Sequence, residues 1–272
     1  MRILACFLMV ICLMSGGCTL QRALIYHGDL FLPSAEDAPP EGTTELWLEV
    51  DARTRVPAFY WAGRGCTPER PGPAVIYFHG SAMLIEGCYE AAERYVDMGV
   101  SVLVPEFRGF GRATGRPTQA NFLEDMVRFR AMLAERSEVD AERLVYHGRS
   151  LGSGLACDLA VVEEPAALVL VSPFTSMRAM YRRFGFPGSW AVDPFDNLAV
   201  VRGLESPLLV LHGTTDTLIS IDQSRELVAA AADARLVSLP MTGHNDIAHG
   251  RTEELFWLSI EGFLREKGVI RR

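Results

Sequence analysis

The sequence predicts an α/β fold built on a mostly parallel, doubly wound sheet. Three observations carry this. The 272 residues are 49% hydrophobic and 22% charged, an ordinary globular composition. Short, largely apolar runs recur along the chain at strand length. Between them lie longer stretches whose apolar residues repeat at helical spacing.

Taken in order, Glu45 to Val50 alternates and Val56 to Trp61 is a second strand candidate, an antiparallel pair at the front. Then come Ala74–Phe78, Val100–Val104, Leu144–Tyr146, Ala167–Val171, Leu208–Leu211 and Leu236–Leu239. Continuous apolar runs of this length suit strands buried on both faces. The helical stretches are Ala91–Met98, Asn121–Ala134, Gln223–Ala232 and Glu253–Arg265. In the second, Phe122, Met126, Phe129 and Leu133 fall on one face. Strands alternating with helices imply right-handed crossovers. No Pro/Ser-rich linker or internal repeat divides residues 43–272, which read as one domain.

The N-terminus reads as a targeting signal over residues 1–17. Arg2 supplies a positive region and Ile3 to Met14 a core of twelve apolar residues, short of the roughly 20 a spanning helix needs. Met14-Ser15-Gly16-Gly17-Cys18 resembles a bacterial lipobox, with Ser15 where leucine is usual. The resemblance implies lipidation of Cys18 and a membrane anchor. Thr19, in place of aspartate, goes in that family with the outer membrane of a Gram-negative cell. Residues 18–42, with the Pro39-Pro40 pair, read as an extended leader that tethers the domain.

Charge and composition exclude several function classes. A net charge of −8 without a basic cluster repels phosphate backbones, so nucleic acid is not an expected partner. Lys267 is the only lysine, which leaves no general-base, Schiff-base or P-loop lysine. No His/Cys pair has zinc-ligand spacing, so neither metal nor cofactor is implied. Cys66 and Cys88 are open to bridging in an oxidising compartment, and Cys157 reads as a buried thiol.

Gly148-Arg149-Ser150-Leu151-Gly152 follows directly on the run Leu144–Tyr146. A serine with glycines two positions to either side, between strand and helix, describes a nucleophile elbow. The pentapeptide alone is a weak signal. A serine hydroxyl needs a base within hydrogen-bond reach, itself oriented by a carboxylate. Asp216 stands just past Leu208–Leu211, and His244 just past Leu236–Leu239 and Gly243. Three such groups, each at a strand end, raise the reading above coincidence. Asp193 and Asp196 are alternative acids, and His249 an alternative base. Asp246 reads as a loop or helix cap. His79, His147 and His212 read as structural. Leu151 N–H and Ser81 N–H, in the loop after Phe78, are the candidate oxyanion donors.

The pieces FHGSA, PEFRGFGRATGRP, HGRSLGSG, HGTTDTLIS and TGHND resemble the α/β-hydrolase superfamily, over about residues 43–268. They are similar to small serine hydrolases, among them bacterial esterases and eukaryotic depalmitoylating hydrolases. Glu106-Phe107 stands where that family usually has Asp-Tyr, and Ala113 where it has Ser, both in a supporting loop. The resemblance implies a short cap at about residues 173–206. Phe174, Met177, Met180, Tyr181, Phe184, Phe186 and Trp190 there suit an acyl chain. The implied reaction is hydrolysis of acyl esters or thioesters, on lipid-linked substrates if Cys18 is anchored. A peptidase holding a free amine with Glu86, Glu90 or Glu106 is one alternative. A silent binding lipoprotein is another.

Overall fold

The computed structural model describes Arg22, Ile25, Tyr26 and residues 38–271. The signal at 1–17, Cys18 and most of the leader lie outside the described residues. Among the described residues no helix is long and apolar enough to cross a membrane.

Eight strands form one sheet: β1 (Thr44–Glu49), β2 (Arg55–Trp61), β3 (Gly72–Phe78), β4 (Ser101–Pro105), β5 (Val139–Arg149), β6 (Ala167–Val171), β7 (Leu208–Gly213) and β8 (Ala234–Leu239). Their spatial order is β1-β2-β4-β3-β5-β6-β7-β8. β1 and β2 run antiparallel, as does β2 against β4; β3 to β8 are parallel. The chain leaves β3 toward β4 on one side and β5 toward β6 on the other, which opens a crevice between the ends of β3 and β5, where open α/β sheets place their sites.

Side-chain alternation along the strands builds two cores. Ala74, Ile76 and Phe78 of β3 face one side, with Phe122, Met126 and Phe129 of α2 (Gln119–Ala134) and Leu155 of α3 (Leu151–Val162). Val75 and Tyr77 face the other, with Tyr95 of α1 (Tyr89–Asp97) and Phe256, Ile260 and Phe263 of α7 (Glu253–Glu266). Helix α4 (Met177–Arg183) and helix α5 (Asn197–Gly203) occupy the expected cap region, and α6 (Ile221–Ala230) follows β7.

The expected strands and helices are all present, with ends shifted by a few residues. β5 reaches back to Val139 through polar residues, because Val139 pairs with Gly72 across an irregularity in register. One open possibility is resolved and one expectation is corrected. Cys66 and Cys88 are not bridged: Cys66 Sγ donates to Gly99 O at 3.3 Å, while Cys88 is buried beside Met83 and Leu84 O. At Arg22 and Tyr26 the leader is docked rather than extended. Tyr26 is buried with its ring edge-on to Phe122 at 5.2 Å, and Arg22 and Tyr26 both bond Asp193 of the cap region.

Candidate active site

The turn from β5 into α3 is set by what glycine leaves out. A Cβ on Gly148 would lie 2.3 Å from Gly152 O, and one on Gly152 would lie 2.1 Å from Phe78 O. Only hydrogen at these positions lets β5, α3 and the end of β3 cross so closely. Ser150 sits between them at φ 51° and ψ −115°, outside the regions a side chain favours. Its N–H is held by Val171 O at 2.9 Å, so the sheet fixes the turn.

β7 and β8 end on the same rim. Ser150 Oγ stands 3.1 Å from His244 Nε2, and His244 Nδ1 stands 2.7 Å from Asp216 Oδ2. The carboxylate accepts at Nδ1, so that nitrogen carries the proton and Nε2 is left to accept from the serine hydroxyl. Asp216 Oδ1 takes the N–H groups of Leu218 and Ile219, each at 2.9 Å. His212 Nε2 lies 3.3 Å from Asp216 Oδ2. Burial alone would raise the Asp216 carboxyl; bonds from His212, His244 and Ile219 outweigh it and hold the group well below the usual carboxylate range. The acid is thus kept ionised beside the imidazole.

The loop carrying His244 is tied at several points. Met241 N–H donates to Thr214 Oγ1, Gly243 N–H to Asp246 Oδ2, and Arg149 Nη2 to His244 O. Gly213 brings the loops together, since a Cβ there would meet Thr242 O at 2.2 Å. Ser81 follows Gly80, whose hypothetical Cβ lies 3.7 Å from Ser150 Cβ. Leu151 N–H opens α3, where the first turn has no intrahelical acceptor. One candidate oxyanion donor thus directly follows the serine, and the other directly follows a glycine beside it.

The alternative residues lie elsewhere. Asp193 is occupied by Arg22 and Tyr26, Asp196 caps α5 through Ala199 N–H, and His249 faces Glu90 at 3.7 Å. His147 is buried behind the elbow with Nδ1 on Tyr95 Oη. Burial, with a contribution from Arg149, lowers it to about 3, so it stays neutral. In the cap, Phe174 and Met180 cover the sheet while Phe184 is exposed, and Phe186 stacks on Trp190. Among the described residues no cluster of His, Cys, Asp and Glu fits a metal ion.

Arg149 escaped the sequence reading, and Glu106 entered it only as a departure and as one alternative amine holder. Arg149 bonds the His244 loop, and Glu106 lies against His79 in the loop that carries Ser81. The departure from Asp-Tyr at Glu106-Phe107 was the available signal for the second.

The chain is similar to known proteins in both sequence and fold. Residues 69–200 match the family described as Serine aminopeptidase, S33. An uncharacterized protein of Mycobacterium tuberculosis is 34% identical over 260 residues, 92% of this chain and 89% of that one. The α/β hydrolase domain-containing protein 17B of Homo sapiens is 28% identical over 183 residues, 64% of this chain and 60% of the relative. Among solved structures, Est1E from Butyrivibrio proteoclasticus with ferulic acid bound matches at a TM-score of 0.68 and 17% identity. That match covers 82% of this chain and 98% of the other.

Proposed function

The chain belongs to the α/β-hydrolase superfamily, and from that premise we propose that it is a serine hydrolase cleaving carboxylic esters or thioesters. One observation carries the proposal: hydrogen bonds run unbroken from Asp216 through His244 to Ser150 Oγ. In the proposed reaction, Ser150 Oγ attacks the acyl carbonyl while His244 Nε2 takes its proton. Ser81 N–H and Leu151 N–H hold the oxyanion, each worth about 3 kcal/mol in such a site. The imidazolium, stabilised by Asp216, returns the proton to the departing alcohol or thiol, leaving an acyl-serine. Water activated by the same imidazole then releases the acid and restores the hydroxyl.

The peptidase reading lacks its amine holder. Glu106 is taken by His79, Glu90 faces His249, and Glu86 lies 3.5 Å from Arg112. Esters and thioesters are therefore the favoured class.

We further propose that Cys18 is lipidated after removal of residues 1–17, with export to the outer membrane in a Gram-negative cell. Arg22 lies four positions after Cys18, which spans at most about 14 Å of extended chain. Arg22 docks on Asp193, so such an anchor would hold the cap near the bilayer. Exposed Phe184 and Val192 of the cap, Leu218 and Met241 favour a lipid-borne acyl substrate.

The test is labelling by a fluorophosphonate probe together with hydrolysis of p-nitrophenyl esters of increasing chain length. Both are expected to vanish in Ser150→Ala; persistence of either defeats the proposal. Metabolic incorporation of an alkynyl fatty acid, lost in Cys18→Ala, tests the anchor separately.

A further inference from the structure

We propose that Glu106 and His79 act as a positioning relay that aims Ser81 N–H at the oxyanion, an inference that rests on Ser150 being the nucleophile.

The relay begins at the end of β4. Glu106 Oε1 lies 2.9 Å from His79 Nε2 and also accepts Phe107 N–H at 2.9 Å. Its Oε2 accepts Ile85 N–H at 3.3 Å. The Phe107 ring stacks on the imidazole, with centroids 4.0 Å apart and planes 17° from parallel. The His79 ring is therefore held both in its plane and on its face, with no exposure to solvent.

The other ring nitrogen delivers the effect. His79 Nδ1 lies 2.9 Å from Gly80 O. A carbonyl has no hydrogen to give, so Nδ1 donates; Nε2 donates to the Glu106 carboxylate, so both ring nitrogens carry hydrogen. Met83 N–H donates to the same oxygen at 3.2 Å. In a planar trans peptide, C=O and the following N–H point in opposite directions. Pinning Gly80 C=O from one side therefore sets the direction of Ser81 N–H on the other. Among the described residues no protein acceptor meets that N–H, and Gly80 packs directly against Ser150. The donor is left open on the side of the reacting carbonyl.

Glutamate suits this geometry because its carboxylate gathers three donors: the imidazole, Phe107 N–H and Ile85 N–H. The strand end, the oxyanion loop and the turn after it are joined through one buried group. A hole whose donors are fixed in advance needs no reorganisation as charge develops on the carbonyl oxygen. Neither side chain touches substrate; both act through the peptide plane.

The test compares matched oxoester and thionoester substrates. Sulfur accepts hydrogen bonds weakly, so the oxoester-to-thionoester ratio of kcat/KM reports the oxyanion donors rather than general damage. His79→Leu removes the donor to Gly80 O, and the ratio is expected to fall about 10-fold or more with KM nearly unchanged. His79→Asn keeps an N–H close to the Nδ1 position and is expected to retain most of the ratio. Glu106→Gln keeps the volume but sets an amide NH2 against one of the three donors, and a fall of at least about threefold is expected. Thermal melts identify any variant that fails to fold; the near-isosteric Glu106→Gln then carries the test, together with a folded His79→Asn. A wild-type ratio in folded His79→Leu or Glu106→Gln overturns the relay. So does a loss in His79→Asn as large as that in His79→Leu. Hydrolysis surviving Ser150→Ala would instead remove the nucleophile assignment, a separate failure.

Discussion

Arg149 Nη2 donates to the backbone oxygen of His244 at 3.2 Å, so the residue before Ser150 also holds the loop that carries its hydrogen-bond partner. The segment from Pro240 to His249 has no regular helix or strand and relies on such ties. Arg149→Leu is expected to lower kcat about 10-fold with little change in KM, because a small misplacement of the base costs rate rather than ground-state binding. Steady-state kinetics on a p-nitrophenyl ester checks this. An unchanged kcat would show that the remaining ties suffice.

Asp216→Asn is expected to be far more damaging. Asp216 Oδ1 must accept from Leu218 and Ile219 N–H, so an asparagine would keep its oxygen there and turn NH2 toward His244 Nδ1. That favours the tautomer with the proton on Nε2, which can no longer accept from Ser150. A loss of about 1,000-fold or more in kcat is the scale known for such tautomer reversal in serine hydrolases. A loss below 10-fold would mean that Asp216 does not orient the imidazole.

The site and its surroundings were not equally legible. Ser150, Asp216 and His244 each stand at the end of an apolar run, so local pattern and known chemistry were enough to single out three candidates whose side chains meet. Glu106 was visible as a departure, but its partner lies 27 residues away and its three donors belong to three elements. Arg22 and Asp193 are 171 residues apart, and neither sits in a pattern that points to the other. The possible Cys66–Cys88 bridge was a question of distance and direction, which spacing along a chain does not contain. Periodicity located β5 only at its apolar end, because its first residues owe their extended form to pairing with β3.

Asp158, on α3, accepts from Gln119 Nε2 at 2.8 Å. Burial, reinforced by the charge of Asp193, pushes its carboxyl up to about 7. The folded state then holds a proton that the unfolded chain releases near pH 4. Stability from this group is full below pH 4, falls as pH rises toward 7, and stays lost above it. Asp158→Asn keeps the acceptor without the charge. Above pH 7 it is expected to be more stable than wild type by about 2 kcal/mol, and at pH 4 equal to it. Denaturant melts at both pH values check the difference; a gain of the same size at pH 4 would assign it to something other than ionisation.

Arg22 and Asp193 form a two-pronged ion pair, at 2.7 and 2.9 Å, with side chains 14% and 7% exposed. Tyr26 Oη and Gln119 N–H complete the carboxylate, at 2.9 and 3.3 Å. Removing the guanidinium leaves a mostly buried carboxylate short of its main partner, so Arg22→Ala is expected to cost about 3 kcal/mol. Tyr26→Phe, which removes one hydrogen bond but keeps the ring on Phe122, is expected to cost about 1 kcal/mol. Asp193→Ala and Arg22→Ala should combine to much less than the sum of their separate costs, since each alone strands the other's charge. Burial alone would raise the Asp193 carboxyl, but bonds from Arg22, Tyr26 and Gln119 outweigh it and the group is lowered. Its contribution is therefore present above pH 4 and lost as the pH falls below that, through the lowered folded value. A double-mutant cycle at pH 7 should show strong coupling that shrinks toward pH 3. Additive costs at pH 7 would mean that the contact does not bind this leader to the cap.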